Sequence, residues 1–558
     1  MQAWIMFGLV VAGILAAFIV LPLRNTARIK KRLRACFGKT PATVEGRLNA
    51  GLFWQSYSSA WPAPGHLDDW TWNDLDLDDV YGRVNACQSA TGDIRLYGAL
   101  REVTGEGLEK QVALREEMMA RFEADVALRE KVQLRLAQLG RSDGSGLEMA
   151  VFHPEAIALQ RPWLYRLLAV LPLVAVAGFF VNIYAGVGLL FLALVVNFNV
   201  LSMVKLRNDS GFRSVRYLSA AITCAARLSK QLAEELPAVA SALKAAQAQY
   251  AHLGWSVSLL NFSELMEQAT SVDPTAMFLL PVLAYGRVAG QLRGKSADTM
   301  GLYRLLGEVD LAIALLSYRH SLEGYCLPKY TQRPRLEAEG VWHPLLEDAV
   351  PNSITLDNDL LLTGSNASGK STFIKALALN CIMGQALNTC TASSFCFRRG
   401  LVATSMAVED SVVDGDSYFV AEIKSMRRLM RLARQPAFTW YFIDEVLKGT
   451  NTIERIAASA AVLQRLHAAQ GICVAATHDI ELTGLLEEQY DNAHFRERVT
   501  EAGVVFDYRL HDGPATTRNA LLLLRQMDYP DEVVEGAYAL VARFEEKGDW
   551  GRLPPPQK

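Results

Sequence analysis

Apolar blocks and amphipathic segments alternate over the first 330 residues and predict a largely helical region. Residues 4–21 are almost uninterrupted apolar, and residues 167–204 form a second apolar block without a formal charge. Between them, residues 108–139 carry apolar positions at spacings typical of one long amphipathic helix. Residues 210–330 are rich in Ala and Leu and predict further helices. We expect these helices to break near Pro237, Gly254, Pro274 and Gly301.

Both apolar blocks have the length of membrane segments. About 18 apolar residues can just cross a bilayer, and two spans need about 40. Basic residues follow the first block and flank the second on both sides, which places these flanks in the cytoplasm under the positive-inside rule. A cleaved signal peptide is the alternative for the first block, and a buried pair of soluble helices for the second. The basic flanks contain Arg24, Arg28, Lys30, Lys31, Arg32, Arg34 and Lys39, then Arg161 and Arg166, then Lys205 and Arg207.

From residue 351 onward, short apolar strands alternate with amphipathic helices, which predicts an α/β domain. An apolar strand at residues 359–363 leads into a Gly-x-x-x-x-Gly-Lys-Ser loop, and residues 373–383 follow as a helix. Such a strand, glycine loop and helix bind phosphates through backbone N–H groups and the positive end of the helix. We expect Lys370 to contact the β- and γ-phosphates and Ser371 to bind Mg²⁺. The predicted nucleotide-binding residues are Gly364, Ser365, Asn366, Ala367, Ser368, Gly369, Lys370, Ser371 and Thr372.

Two later strands end in polar residues that suit hydrolysis of a nucleotide. Residues 438–443 form a predicted strand that ends in Asp444 and Glu445, and residues 472–476 form another that leads to His478. Asp444 is suited to hold Mg²⁺, and Glu445 to orient and deprotonate the attacking water. His478 can sense the γ-phosphate. A purely structural role for these three side chains is the alternative.

Composition narrows the range of functions. The chain is 51% hydrophobic with a mean hydropathy of +0.12, which favours membrane contact. The net charge of −3 gives no global basic field of the kind that drives nucleic-acid binding. Eight cysteines without a Cys-x-x-Cys pair indicate reduced thiols rather than a zinc site. The acidic cluster in residues 70–80 is interpreted as the N-capped start of a helix rather than a metal site.

Four ordered motifs of the α/β region resemble those of the MutS family, a branch of the ABC ATPases. A His-Pro pair at residues 343–344 resembles the start of that family's ATPase domain. Weaker resemblance to the family's core and lever helices covers the rest of about residues 70–530. The four motifs are the loop at residues 363–372 with Asn366, the segment from Glu409 through Ser417 to Glu422, the run at residues 443–452, and Ala476-Thr477-His478.

The resemblance implies ATP and Mg²⁺ as ligands and a homodimer as the working unit. In such a dimer Ser417 is the signature serine that reaches the partner's γ-phosphate, while Lys370, Glu445 and His478 are the catalytic residues. The sequence departs from the mismatch-repair members in two ways. Residues 24–69 are too few for their two N-terminal domains, and the apolar block 167–204 stands where they insert a DNA clamp. Phe-x-Glu, the pattern of their mismatch wedge, occurs at 262–264, 495–497 and 544–546, and we interpret all three as chance matches.

The fold class predicted from these observations is an α/β P-loop ATPase domain of ABC/MutS type, preceded by an all-α core and lever region with N-terminal and central transmembrane helices. The predicted function is a membrane-anchored MutS-like ATPase of the inner membrane, multi-pass, with its ATPase and lever regions in the cytoplasm. The alternative is a DNA-binding homologue that acts in mismatch repair or recombination, although composition does not favour DNA. A transporter is disfavoured, because there are only three predicted membrane segments and no Leu-Ser-Gly-Gly-Gln signature.

The predicted domains follow the same boundaries. They are a transmembrane helix (1–23), a basic juxtamembrane linker (24–69), the first core and lever helices (70–166), a transmembrane hairpin (167–204), the second core and lever helices (205–335), the ATPase domain with dimerisation helices (336–550) and a disordered tail (551–558).

Overall fold

The computed structural model describes most of the chain in two compact units. One unit contains residues up to His66 and Asp78–Glu323, and the other contains Leu67–Leu77 and Gly324–Lys558. The predicted N-terminal transmembrane helix, Asn366, Ala367 and Ser417 lie outside the described residues. The described residues are 24–41, 47–63, 65–141, 146–270, 273–365, 368–406, 418–448, 450–500, 503–515, 521, 524–525, 527 and 529–553.

Helices are the main secondary structure in the described residues of the first unit, as the sequence predicts. Its longest core helix carries Glu308, which accepts hydrogen bonds from Arg95 Nε at 2.6 Å and Arg115 Nε at 2.5 Å. Burial alone would raise the pKa of Glu308, but Arg115 and Arg95 outweigh burial and hold that pKa at about 2. The buried charges are therefore compensated. The helices are α1 (24–36), α2 (Arg47–Ala60), α3 (Asp69–Asp74, in the second unit), α4 (Leu77–Val84), α5 (Ala90–Arg101), α6 (Leu108–Ala124), α7 (Val126–Leu139), α8 (Glu148–Phe152), α9 (Pro162–Phe179), α10 (Ile183–Arg207), α11 (Asp209–Gln231), α12 (Pro237–Ala248), α13 (Gly254–Thr270), α14 (Leu280–Gln291) and α15 (Ser296–His320).

The central apolar block forms a helical hairpin of α9 and α10. By length and composition both helices could cross a membrane. Most of their apolar side chains point outward, and Phe180 and Val181 at the turn are 91% exposed. Asn182 caps α10 by accepting hydrogen bonds from the backbone N–H groups of Tyr184 and Ala185. Insertion of this hairpin into a membrane stays a prediction.

A single polar side chain closes a backbone defect inside this hairpin. Pro172 lies within α9 and has no N–H to donate to the carbonyl of Leu168, four residues earlier. Asn197 of α10 is fully buried, and its Nδ2 donates to Leu168 O at 3.1 Å and to Met277 O at 2.7 Å. The amide therefore satisfies the carbonyl that the proline leaves free, and it ties the hairpin to the segment before α14.

The second unit is built on two sheets. The larger sheet has six strands in the order β10-β9-β4-β8-β7-β6; β10 and β9 are antiparallel and the remaining pairs are parallel. The smaller sheet has the order β1-β5-β2-β3. The strands are β1 (Lys329–Tyr330), β2 (Leu336–Val341), β3 (Asn352–Leu356), β4 (Asp359–Thr363), β5 (Ser394–Phe397), β6 (Leu401–Ser405), β7 (Thr439–Asp444), β8 (Gly471–Ala476), β9 (Tyr490–Thr500) and β10 (Gly503–Asp512), and the helices are α16 (Lys370–Leu387), α17 (Tyr418–Leu432), α18 (Thr452–His467), α19 (Glu481–Leu485) and α20 (Asp531–Lys547).

Three local expectations change. The long helix predicted for residues 108–139 is two helices, because Asp125 interrupts it and caps α7 by accepting a hydrogen bond from Leu128 N at 2.9 Å. The break predicted at Gly301 is wrong: Gly301 lies inside α15, and the chain turns instead around Gly294, whose φ is +75°. Residues 47–60, within the predicted linker, form α2. In the acidic segment, Asp78 and Asp79 lie in the first turn of α4, as expected, and the cap lies earlier: Asp68 accepts from Thr71 N at the start of α3.

Candidate functional site

The predicted site residues follow the ends of three neighbouring parallel strands. β8 lies between β4 and β7, and all three run in the same direction. The register pairs Leu362 of β4 with Ala476 of β8, and Ala476 with Asp444 of β7. Because each strand is apolar and buried until its last residues, the glycine loop, Asp444-Glu445 and His478 emerge at one edge of the sheet.

The glycine loop needs glycine at both of its ends. Gly364 has φ +135° and Gly369 has φ +106°, a region that other residues rarely adopt. At Gly364, an added Cβ would lie 2.5 Å from the carbonyl oxygen of Phe495 on β9. Ser368 is fully buried, and its hydroxyl donates to Ser365 O at 2.7 Å within the loop. Gly364 therefore packs closely against β9.

Lys370 folds back onto the loop. Its Nζ donates to the carbonyl oxygens of Gly364 at 2.6 Å and Ser365 at 2.8 Å, and only 2% of the residue is exposed. Burial lowers the pKa of Lys370 to about 8, although Asp444 and Glu497 act in the opposite direction. The ammonium is thus a buried cation that an anion in the loop would stabilise.

Asp444 has the properties of a magnesium ligand. It is 8% exposed, and within the described residues nothing hydrogen-bonds to its Oδ1. A buried carboxylate oxygen without a partner is costly unless a ligand binds it. Ser371 is partly exposed in the first turn of α16, so its hydroxyl can supply a second hard oxygen. These two residues fit Mg²⁺ together with phosphate oxygens and water.

Glu445, His478 and Lys448 form one cluster. His478 Nε2 lies 2.7 Å from Glu445 Oε1, and Lys448 Nζ lies 2.9 Å from Glu445 Oε2. Burial and the nearby Lys370 and Lys448 lower the pKa of His478, which favours the neutral form of the imidazole. Glu445 itself has φ +62°, which costs about 1–3 kcal/mol for a residue of this type. Strain of this kind is characteristic of functional sites.

A cavity of about 410 Å³ opens beside the glycine loop. Gly369, Ser371 and Thr372 form one side of it. Burial, and to a lesser degree Lys375, lowers the pKa of His343 to about 4, so that ring is neutral. An aromatic, mostly apolar cavity next to a phosphate loop is suited to a nucleoside. The aromatic lining residues are Trp342, His343, Phe373, Phe495 and Tyr508.

β9 contributes side chains to the site that the sequence pattern did not predict. The expectation for Phe495-Arg496-Glu497 is a chance Phe-x-Glu match. In the structure Ser365 Oγ donates to Glu497 Oε2 at 2.7 Å, and Phe495 contacts both the loop and the cavity. The motif is unrelated to a mismatch wedge, yet it belongs to this site. Lys448 was also missed; its backbone N–H donates to Glu422 Oε1 at 3.0 Å, which links the cluster to α17.

The predicted residues that the structure describes are thus near one another. Lys370, Asp444 and His478 interact electrostatically, and Glu445 contacts His478 directly. Asn366, Ala367 and the signature residue Ser417 lie outside the described residues, so their roles stay predictions. Within the described part of the chain, no group of three His, Cys, Asp or Glu side chains could hold a metal ion by itself.

Comparison with known proteins supports a MutS-like domain in the second unit. Residues 360–545 match the family model described as MutS domain V. A DNA mismatch repair protein MutS of Thermus thermophilus is 30% identical over 247 residues, which cover 43% of this chain and 30% of that protein. The protein of the same name from Carboxydothermus hydrogenoformans is 30% identical over 270 residues, 46% of this chain and 31% of that protein.

A fungal relative matches this chain with a similar identity and coverage. The DNA mismatch repair protein msh3 of Aspergillus oryzae is 29% identical over 284 residues, which cover 47% of this chain and 25% of that protein. The chain thus spans less than a third of the length of these relatives. The matches support the MutS family and, at the level of that family, an ATPase. They do not show that the hairpin of α9 and α10 is a membrane element.

Proposed function

We propose that this chain is a Mg²⁺-dependent, MutS-like ATPase that is anchored in the inner membrane, works as a homodimer and couples ATP hydrolysis to movement of its helices. The observation that carries the ATPase is the convergence of three side chains at adjacent strand ends. Lys370 is a buried cation, Asp444 has a carboxylate oxygen without a partner among the described residues, and Glu445 is strained and held by two partners. A single bound Mg²⁺–triphosphate satisfies the first two.

Each residue has a definite task in this proposal. The Lys370 ammonium leaves its two carbonyl partners and binds the β- and γ-phosphates, while the loop N–H groups hold the phosphate oxygens. Ser371 and Asp444 would hold Mg²⁺, which would neutralise part of the phosphate charge. Glu445 orients a water and accepts its proton, and neutral His478 keeps the carboxylate in place until the γ-phosphate competes for its N–H.

Replacing Glu445 with Gln tests the hydrolytic assignment. The variant keeps the shape of the side chain but cannot accept a proton, so we expect kcat to fall by about 10²–10⁴-fold. Binding of a fluorescent ATP analogue should stay within about threefold of the unmodified protein. Glu487→Gln, at an exposed position of the same unit, is the matched control. Hydrolysis by Glu445→Gln at the unmodified rate would show that another group is the base.

The homodimer follows from the family resemblance, in which Ser417 reaches the partner's γ-phosphate. We expect Glu445→Gln to accumulate as a dimer when Mg²⁺ and ATP are present, because hydrolysis normally releases it. Size-exclusion chromatography with light scattering measures the molar mass of the protein without the bound detergent. A Glu445→Gln protein that binds ATP and stays monomeric would argue against a shared site.

The membrane proposal is supported by the hairpin of α9 and α10. Its outward side chains form an apolar surface that water would disfavour but hydrocarbon would accept. Phe191 of α10 and Trp255 of α13 are similarly exposed in the isolated chain, at 69% and 61%. We expect Phe191→Cys to be protected from a water-soluble maleimide in native membranes and Trp255→Cys to react, both in a background in which Cys36, Cys326 and Cys396 are replaced by Ser. Equal labelling would contradict insertion of the hairpin.

Coupling between the hairpin of α9 and α10 and the other helices of the first unit is supported by the continuous chain that joins them. α10 leads through Asn208 directly into α11, and Lys205 and Arg216 bind the same Glu267 of α13, at 3.0 Å and 2.7 Å. Movement of α11 or α13 would therefore reach the base of the hairpin. The proposed output is a rearrangement of the membrane or of a membrane partner.

A DNA-acting homologue is the second candidate, because the relatives described above are named DNA mismatch repair proteins. The purified full chain in detergent distinguishes the two proposals when its ATPase is measured with and without duplex or branched DNA. A salt-dependent stimulation with micromolar or tighter affinity would favour the DNA-acting function. No effect of DNA, with intact ATP hydrolysis, favours the membrane function.

A further inference from the structure

Two cysteines of the second unit face each other across an isolated antiparallel bridge. Cys326 N donates to Cys390 O at 2.9 Å, and Cys390 N donates to Cys326 O at 2.9 Å. In a pair that exchanges both hydrogen bonds, the Cα atoms are about 5.5 Å apart. Disulfides join Cα atoms about 4.4–6.8 Å apart. The Cα separation of this pair therefore lies within the range that a disulfide can join.

The two thiols differ in a way that suits stepwise oxidation. Cys326 is partly exposed between the exposed residues Tyr325 and Leu327, whereas Cys390 is fully buried. A hydrogen bond from Cys390, and then Lys329, lower the pKa of Cys326. An accessible thiol with thiolate character beside a buried second thiol is the arrangement of a redox-sensitive pair.

We propose that Cys326 and Cys390 form a reversible disulfide, with hydrogen peroxide as the oxidant. The Cys326 thiolate attacks one peroxide oxygen, the O–O bond breaks, and Cys326 becomes a sulfenic acid while hydroxide leaves and is protonated to water. Cys390 then attacks the Cys326 sulfur, the S–O bond breaks, and a second water leaves with the Cys390 proton. Two thiols and one peroxide thus give one disulfide and two waters.

The geometry makes this disulfide easy to reduce. Directly opposite Cβ atoms of an antiparallel pair are about 4.5–5.5 Å apart. A disulfide holds its Cβ atoms about 3.5–4.5 Å apart. Its formation must therefore draw the two segments together, and strained disulfides are the labile ones.

We expect the disulfide to change the nucleotide cavity, and this step rests on the proposed ATPase function. Cys390 is followed by Thr391, whose backbone carbonyl accepts from Trp342 N at 3.0 Å and whose hydroxyl donates to Trp342 O at 2.7 Å. Trp342 and the adjacent His343 line the cavity beside the glycine loop. Pulling Cys390 toward Cys326 displaces this wall, so we expect the oxidised protein to bind ATP at least threefold more weakly.

To test this, the full chain in detergent is treated with hydrogen peroxide and the remaining thiols are blocked. Linked peptides are then identified by mass spectrometry. We expect a Cys326–Cys390 linkage in the unmodified protein and in Cys396→Ser, a matched control at another partly exposed cysteine. Cys326→Ser should lack the linkage, and dithiothreitol should remove it from the others. Oxidation of Cys326 to sulfenic or sulfinic acid without the linkage would overturn the proposal.

Binding of a fluorescent ATP analogue to reduced and oxidised protein tests the second step separately. A linkage that leaves the dissociation constant unchanged would overturn the coupling to the cavity. A reduced protein that binds no ATP would instead count against the proposed function, because the linkage itself needs no nucleotide. Cys326→Ser should bind ATP equally well before and after peroxide treatment.

Discussion

Replacing Lys370 with Met tests the electrostatics of the glycine loop. The lysine is 2% exposed, and burial lowers its pKa to about 8 from the usual 10.5. At neutral pH the folded protein therefore holds a charge that the unfolded chain would carry in water at lower cost. Methionine fills a similar volume without a charge. The comparison of the two proteins across pH isolates the contribution of the ammonium.

The magnitude follows from the two pKa values. For a base whose pKa is lower in the folded state, the unfolded state binds more protons between the two values, so stability rises with pH across that interval. The penalty on Lys370 is complete below about pH 8 and disappears above about pH 10.5. Each pH unit is worth about 1.36 kcal/mol. Between pH 7 and pH 9.5, the free energy of unfolding of the unmodified protein should therefore rise by about 2 kcal/mol relative to Lys370→Met.

This difference is measured by unfolding the nucleotide-free protein in urea. The folded fraction is determined by pulse proteolysis and quantified on peptides of β4, β7 and β8. Effects of pH on other groups cancel because they are common to both proteins. Saturating Mg²⁺ and ATP should abolish the rise in the unmodified protein, since bound phosphates stabilise the ammonium. A difference between the two proteins that stays constant from pH 7 to pH 9.5 would refute the reasoning. ATP binding should be lost in Lys370→Met.

Three further substitutions probe other parts of the structure. Asp444→Asn should raise the Mg²⁺ concentration for half-maximal ATPase at least tenfold; an unchanged Mg²⁺ titration would remove Asp444 as a ligand. Gly364→Ala should destabilise the second unit by about 1–3 kcal/mol, because of φ +135° and the close Phe495 carbonyl. Gly536→Ala in α20 meets nothing within 4 Å and is its control, expected to be neutral or stabilising in urea unfolding. Asn197→Leu should cost about 1–3 kcal/mol in detergent, measured by thermal melting, because two carbonyls lose their donor; an unchanged melting temperature would contradict this.

The sequence predicted the site because each part of it lies at the end of an apolar strand. Residues 359–363, 438–443 and 472–476 are the observed strands to within one residue at either end, and their polar successors are the site residues. Parallel strands bring their carboxyl ends to one edge. The order β4-β8-β7 was beyond prediction, because it depends on crossover connections and on tertiary packing rather than on any local pattern.

Helix boundaries in the first unit show why the remaining expectations were wrong. Apolar spacing continues across Asp125, yet that side chain accepts from Leu128 N and starts a new helix, so Val126 is exposed rather than buried. Gly301 lowers helix propensity by about 1 kcal/mol, but α15 packs most of its length into the core and continues through it. At Asp125 one hydrogen bond outweighs the apolar periodicity, and at Gly301 packing into the core outweighs the low helix propensity of glycine.

The tripeptide Phe495-Arg496-Glu497 shows that tertiary structure also decides which residues belong to the site. Alternate residues of a strand face the same side, so Phe495 and Glu497 together face the glycine loop, while Arg496 faces away and donates to Asp507 Oδ2 at 3.2 Å. That orientation follows from the register of β9 on β4, which pairs Thr363 with His494 immediately before the loop. A slip of one residue would direct Arg496 at the loop instead and place a second cation beside Lys370. The chemistry of the tripeptide therefore depends on strand register, and the sequence pattern alone could not assign it.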